Sequence, residues 1–246
     1  MVRSPLLALA LIAPLAARAD EPSDARKVVD RAIEAVGGPA KLKDLTGGVW
    51  KTNGTVRGNP SKADFHGELP GKFRLDSTRA VNGEVVKTSR IVNGDKGWVV
   101  EGDKVTPMTE AEIAGVKASF YHKQAATTLV PLTEKGVELS VAGKPTLDGG
   151  PATQVKVVKS GFPDLLLTFD DKTGLLVRSE MTDKDAKTRA DRKVEIEWRE
   201  YKEFDGVKMA SKSKTFHDGK LFIDTEITEF KGAKGLPEGT FTPNKR

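Results

Sequence analysis

Turn dipeptides set at intervals constrain this chain more than any other feature. Asn82-Gly83, Asn93-Gly94, Asp205-Gly206 and Asp218-Gly219 each stand between runs of alternating apolar and polar residues. Asn-Gly and Asp-Gly suit the type I′ hairpin turn, in which both central residues need positive φ. In the last quarter, Val194, Ile196 and Trp198 alternate with Glu195, Glu197 and Arg199, so one face is greasy and the other wet. The pattern predicts an antiparallel meander rather than β-α-β units.

Further strands are expected over 48–57, 62–69, 72–79, 84–92, 97–101 and 104–106. A second set is expected over 137–141, 152–159, 165–170 and 175–181, with Gly102-Asp103 and 171–174 as turns. The charged stretch 181–191 reads as a hairpin loop. Two helices interrupt the alternation. Ala25, Val28, Val29, Ala32, Ile33 and Val36 recur at helical spacing behind a Ser23 or Asp24 cap, and Gly37-Gly38 ends that helix. Pro39 to Leu45 suggests one more short turn of helix. Thr109 and Glu112 have capping-box spacing, and Ile113, Val116, Phe120 and Leu129 follow on one side before Pro131. The fold class expected is mainly β: an incomplete antiparallel β-barrel with an N-terminal helix and a central helical lid. So many meandering strands curl, and the concave face must be filled by something.

The first nineteen residues predict a compartment. Arg3 precedes an apolar run from Leu6 to Leu15, and Ala17-Arg18-Ala19 offers an A-x-A cleavage pattern. The run is too short to span a membrane. A signal peptide over 1–19 is expected, cleaved near Ala19, with 20–246 as a single domain that is periplasmic or secreted. Cleavage removes Arg3 and Arg18 and no acidic residue, so the net charge falls from +5 to +3. The remaining charges are interleaved, without a basic block, so no nucleic-acid partner is expected. There is no cysteine, which excludes disulfides, thiolate chemistry and Cys-based metal sites. A monomer is expected.

Catalytic motifs are missing. His66, His122 and His217 are isolated in sequence, with no HExxH or His-x-His spacing, so no metal is expected. No G-x-S-x-G, P-loop or dinucleotide fingerprint occurs. Asp170-Asp171 stands in a D-D-K-T-G turn, which explains it without chemistry. No catalytic residue and no cofactor are predicted.

Several segments carry a resemblance. LPGKFRLD (69–76), IVNGDKGWVVEGDKV (91–105), FDDKTGLLVRSEM (169–181), EYKEFDGVKM (200–209) and GTFTP (239–243) occur in the order and spacing of a known family. AIEAVGGPAKLKDL (32–45) resembles the opening of related modules in secreted bacterial proteins. The chain resembles the LolA/LolB-like superfamily of periplasmic lipoprotein carriers. That resemblance implies an unclosed barrel with a helical lid over an apolar cavity for lipid or lipoprotein acyl chains. An envelope membrane protein is the second kind of partner it implies. One departure stands out: carriers of the LolA type have an Arg directly before the Pro of the Pro…Phe strand, and here that residue is Leu69, with Arg74 further along. This bears on lipoprotein transfer more than on fold. The expected cavity residues are Phe65, Phe73, Leu75, Trp98, Phe120, Leu166, Ile196 and Trp198. The alternatives are a protein-interaction module in envelope signalling or beside a secreted peptidase, and an enzyme built on His66 or His217 with a carboxylate.

Overall fold

A computed structural model describes residues 22–243 apart from 44, 148, 186 and 187. The expected signal peptide and its cleavage point lie outside the described residues. Helix α1 (Pro22–Val36) and the short α2 (Pro39–Leu42) lead into six strands. These are β1 (Gly47–Val56), β2 (Asn59–Glu68), β3 (Lys72–Val81), β4 (Glu84–Asn93), β5 (Lys96–Glu101) and β6 (Lys104–Pro107). Helix α3 (Glu110–Thr127) and a 3-10 turn (Val130–Thr133) follow. The second series is β7 (Val137–Gly143), β8 (Thr146–Leu147), β9 (Gly150–Lys159), β10 (Leu165–Asp170), β11 (Leu176–Lys184), β12 (Asp191–Phe204), β13 (Val207–His217) and β14 (Lys220–Ala233).

The strands form one antiparallel sheet in the order β6-β5-β4-β3-β2-β1-β14-β13-β12-β11-β10-β9-β7, with β8 paired to β9. Each series is a meander, as the turn chemistry predicts. At Arg57-Gly58, Asn82-Gly83, Asp205-Gly206 and Asp218-Gly219 the first residue has φ of 48° to 52° and the glycine 75° to 84°. Those are type I′ values, which match the twist of the flanking strands; Asn93-Gly94 differs, because only Gly94 has positive φ, at 62°. The two meanders join where β1 pairs with β14, placing Trp50 opposite Phe230.

The sheet is not closed, and its edges are β6 and β7. Chain order makes α3 the connection between those two edges, so it must cross the concave face. At about 1.5 Å per residue its eighteen residues span about 27 Å. The capping box forms as its sequence predicts: Thr109 Oγ1 accepts from the Glu112 N–H, and Glu112 Oε2 accepts from the Thr109 N–H at 2.7 Å.

The stretch 181–191 differs from its expected loop. Strand β11 continues to Lys184 and β12 begins at Asp191. The cause is a charge clamp: Arg192 donates to both Asp183 oxygens, at 2.9 and 2.6 Å, and to Asp185 at 3.3 Å. High charge density signalled solvent exposure but not the loss of strand pairing.

The main core lies on the concave side. Ala25, Val29, Ala32, Ile33 and Val36 of α1 meet Leu139, Val155, Val157, Leu165, Leu167 and Phe169, all buried. Ala125, Ala126 and Leu129 add the end of α3 to that core. A second, smaller cluster on the convex side groups Ile91, Val100 and Phe241 with Trp98, Val105 and Leu236. Here the C-terminal segment is strapped down. Arg74 donates to the carbonyls of Thr240 and Thr242 at 3.2 and 3.3 Å, and Glu68 accepts from the Leu236 N–H at 3.0 Å.

Candidate functional site

The inner face of β1 to β5 can be read rung by rung. One rung carries Gly48, Gly67, Phe73, Val92 and Gly97, and the next carries Trp50, Phe65, Leu75 and Arg90. Helix α3 lies across the first. A Cβ on Gly67 would stand 2.5 Å from the Phe120 ring, and one on Gly97 would stand 2.8 Å from Ile113 Cγ1. These two glycines are missing side chains that let the helix approach the sheet. Phe120 then packs on Phe73 with ring centroids 5.2 Å apart, and Phe73 reaches Phe65 at 6.3 Å.

The two halves of the concave face are filled unequally. Leu165, Leu167 and Phe169 on β10 are at most 1% exposed, whereas no residue of β3 is fully buried. Phe65, Phe73 and Leu75 are half-buried, and the rungs beyond them carry small, hydroxyl-bearing or otherwise half-exposed groups: Ala63, Ser77 and Thr88, then Gly54, Ser61, Arg79 and Val86. The result is an apolar trough beside a solid core, with Phe120 of α3 set against its floor.

Polar side chains of α3 reach from the trough into the main core. His122 is 1% exposed and its Nε2 lies 2.8 Å from Ser179 Oγ, which also accepts from Trp198 Nε1 at 2.9 Å. Burial pushes the His122 imidazole down to about 4, so it is neutral at ordinary pH. The Lys123 ammonium sits 4.0 Å from the centre of the Phe65 ring, and burial pushes it down to about 8. The Tyr121 ring packs on Phe162 with centroids 4.4 Å apart and a 30° tilt, and burial pushes its phenol up to about 12.

The eight expected residues divide by face. Phe65, Phe73, Leu75 and Phe120 come together at the trough. Ile196 and Trp198 face inward on the far wall, against the main core. Trp98 is on the other side of the sheet: its neighbour Gly97 faces α3, so the pleat turns Trp98 outward onto Ile91 beneath the C-terminal strap. Leu166 also points outward, between its cross-strand partners Lys156 and Glu180, because Leu165 and Leu167 take the inner face. A continuous Leu165-Leu166-Leu167 run carries no alternation from which a face could be read. Arg74 is outward too, held by Asp76 at 2.8 Å and by the strap carbonyls.

Lys123 and Ser179 were missed. Phe120 and Lys123 are three apart on a helix, so a shared face was legible from spacing; the Ser179 contact depends on the crossing of α3 over β11, which no local pattern records. Among the described residues no group of three or more His, Asp or Glu converges as a metal site would require. His66 lies outward across from Arg74, and His217 stacks on Phe222 at 4.0 Å. Two concavities, about 630 and about 370 Å³, meet at Asn53 and Gly54, and none of the eight residues lines either of them.

No protein-family model matches the sequence, and no curated protein sequence matches it. Solved structures do match. A domain described as an outer membrane lipoprotein-sorting protein from Vibrio parahaemolyticus superposes with a TM-score of 0.55 at 8% identity, covering 90% of this chain and 97% of that one. A LolA superfamily protein from Nitrosomonas europaea gives 0.54 at 7% identity, covering 89% and 97%. The fold is LolA-like. A DUF1329 family protein from Desulfovibrio piger matches with a TM-score of 0.51 at 12% identity, covering 89% and 97%. The LolA-like fold therefore extends over nearly all of this chain, while the low identities leave its site to be argued from its own residues.

Proposed function

We propose that this chain is a non-catalytic carrier or sensor of lipid acyl chains, acting as a single domain over 20–246 in the periplasm or another secreted setting. The observation that carries this reading is the trough. Phe65, Phe73 and Leu75 form a half-buried apolar wall at the margin of the core, and a helix side chain, Phe120, lies against it. An acyl chain can lie along that wall beside Phe120 when the first half of α3, residues 110–117, lifts. In that half only Ile113 is fully buried, whereas the second half is buried nearly throughout. Each CH₂ moved from water to such a wall gains about 0.8 kcal/mol, which is what holding a lipid in water requires. The likeness in fold to a lipoprotein-sorting domain and a LolA superfamily protein supports the same reading. Lipid or lipoprotein acyl chains are the proposed ligand, and the carrier acts as a monomer.

Native mass spectrometry of protein purified gently from its own envelope tests the proposal, together with uptake of a fluorescent fatty acid by delipidated protein. Bound lipid and saturable uptake are expected. Leu75→Glu is expected to weaken uptake at least about tenfold, the equivalent of two lost CH₂ contacts. Absence of both lipid and uptake overturns the reading.

A further inference from the structure

Among the described residues, the three large apolar side chains that stand exposed are Val85 at 68%, Leu221 at 51% and Val81 at 38%. They are not scattered. Val81 and Val85 flank the β3–β4 turn, and Leu221 follows the β13–β14 turn. Register places both turns at one end of the sheet. Val56 pairs with Ile223 and Asn59, and Ser61 pairs with Arg79, so the β1–β2, β3–β4 and β13–β14 tips form one rim. The half-exposed inner rungs of β1 to β4 lead to that rim.

Charge at the rim is one-sided. The stretches 57–62, 79–87 and 218–222 carry Arg57, Lys62, Arg79, Lys87 and Lys220 against Glu84 and Asp218. Asp218 is already engaged, accepting from the Lys193 N–H at 2.9 Å. Some surface cations of this protein are paired, as Lys51 is with Glu229 and Lys202 with Glu226; among the described residues, none of the five rim cations is ion-paired. Arg57 lies over the Phe222 ring at 5.0 Å instead. The concavity of about 370 Å³ between the first two tips is lined by Pro60, Ala80 and Val85, with Lys62 and Arg79 beside them.

We infer that this rim docks on the surface of an anionic lipid bilayer: Val81, Val85 and Leu221 enter the interface while the unpaired cations meet lipid phosphates. Exposed apolar tips alone would fit several partners; unpaired cations around them select an anionic, apolar-backed surface. Docking there presents the open rungs of the trough to the membrane, which extends the carrier reading without depending on it.

Co-sedimentation of the full chain with vesicles tests the docking. Vesicles of phosphatidylcholine alone are compared with vesicles that also contain phosphatidylglycerol, at low and at high salt. The protein is expected to sediment with the mixed vesicles, to be released as salt screens the charges, and to ignore the neutral ones. Val85→Asp with Leu221→Asp, and separately Lys62→Glu with Lys220→Glu, should each weaken sedimentation at least tenfold, while Ser140→Asp on the far edge strand should not. Fatty-acid uptake in the absence of vesicles should be unchanged in both double variants, which separates failure of docking from failure of acyl-chain binding. Sedimentation that is absent, indifferent to lipid charge, or untouched by both double variants overturns the inference.

Discussion

His122 shows how one side chain can tie stability to pH. It is sealed between α3 and β11, where its Nε2 shares a hydrogen bond with Ser179 Oγ, which also accepts from the Trp198 N–H. With the folded value near 4 and the unfolded value near 6.5, the unfolded chain binds the extra proton between those limits. Stability contributed by neutral His122 is therefore present above pH 6.5 and lost as the pH falls towards 4. Denaturant melts of the wild type and His122→Gln across that window should diverge by on the order of 3 kcal/mol, the wild type losing more. Gly67 is the second informative residue. A methyl there meets the Phe120 ring at 2.5 Å, so Gly67→Ala is expected to cost about 1–3 kcal/mol in a thermal or denaturant melt, through overpacking under α3. Neither role was legible in the sequence. An isolated His and one glycine among 24 acquire meaning only when the helix is laid on the sheet.

At the scale of elements, most of the sequence reading rested on local chemistry and matches the structure for that reason. Asn-Gly and Asp-Gly fix turns by φ, Thr109 and Glu112 fix a helix start by hydrogen bonding, and alternation fixes strands. Facing failed where local chemistry is silent, as at Leu166 inside an all-apolar strand and at Trp98 under a strap that arrives from the other end of the chain. Helix α3 shows the same limit. Its sequence announces a helix, but its role as a tie between the free edges of the sheet follows only from strand order. Held at both ends, such a lid opens by loosening its first half. Thr109→Ala removes the capping box at a cost of about 1 kcal/mol. Hydrogen exchange should then speed up over residues 110–117 and leave 118–127 protected, because the latter are packed on the core. Uniform acceleration along the helix would show that α3 moves as one piece.

At the scale of the molecule, two meanders share one sheet, and each is built from neighbours in sequence. The seam between them is different, since β1 and β14 are nearly the first and last strands made. Trp50 cannot meet Phe230 until almost the whole chain is available, and closing so long a loop costs entropy before any contact repays it. Assembly therefore has a built-in order: hairpins form early within each half, and the two halves dock late. Pulse-labelling during refolding should protect the amides of β3–β4 and β12–β13 before those of β1 and β14. Until that last zip closes, each half exposes an unpaired strand edge, so the interval before docking is when this protein is most open to mispairing with a second copy of itself.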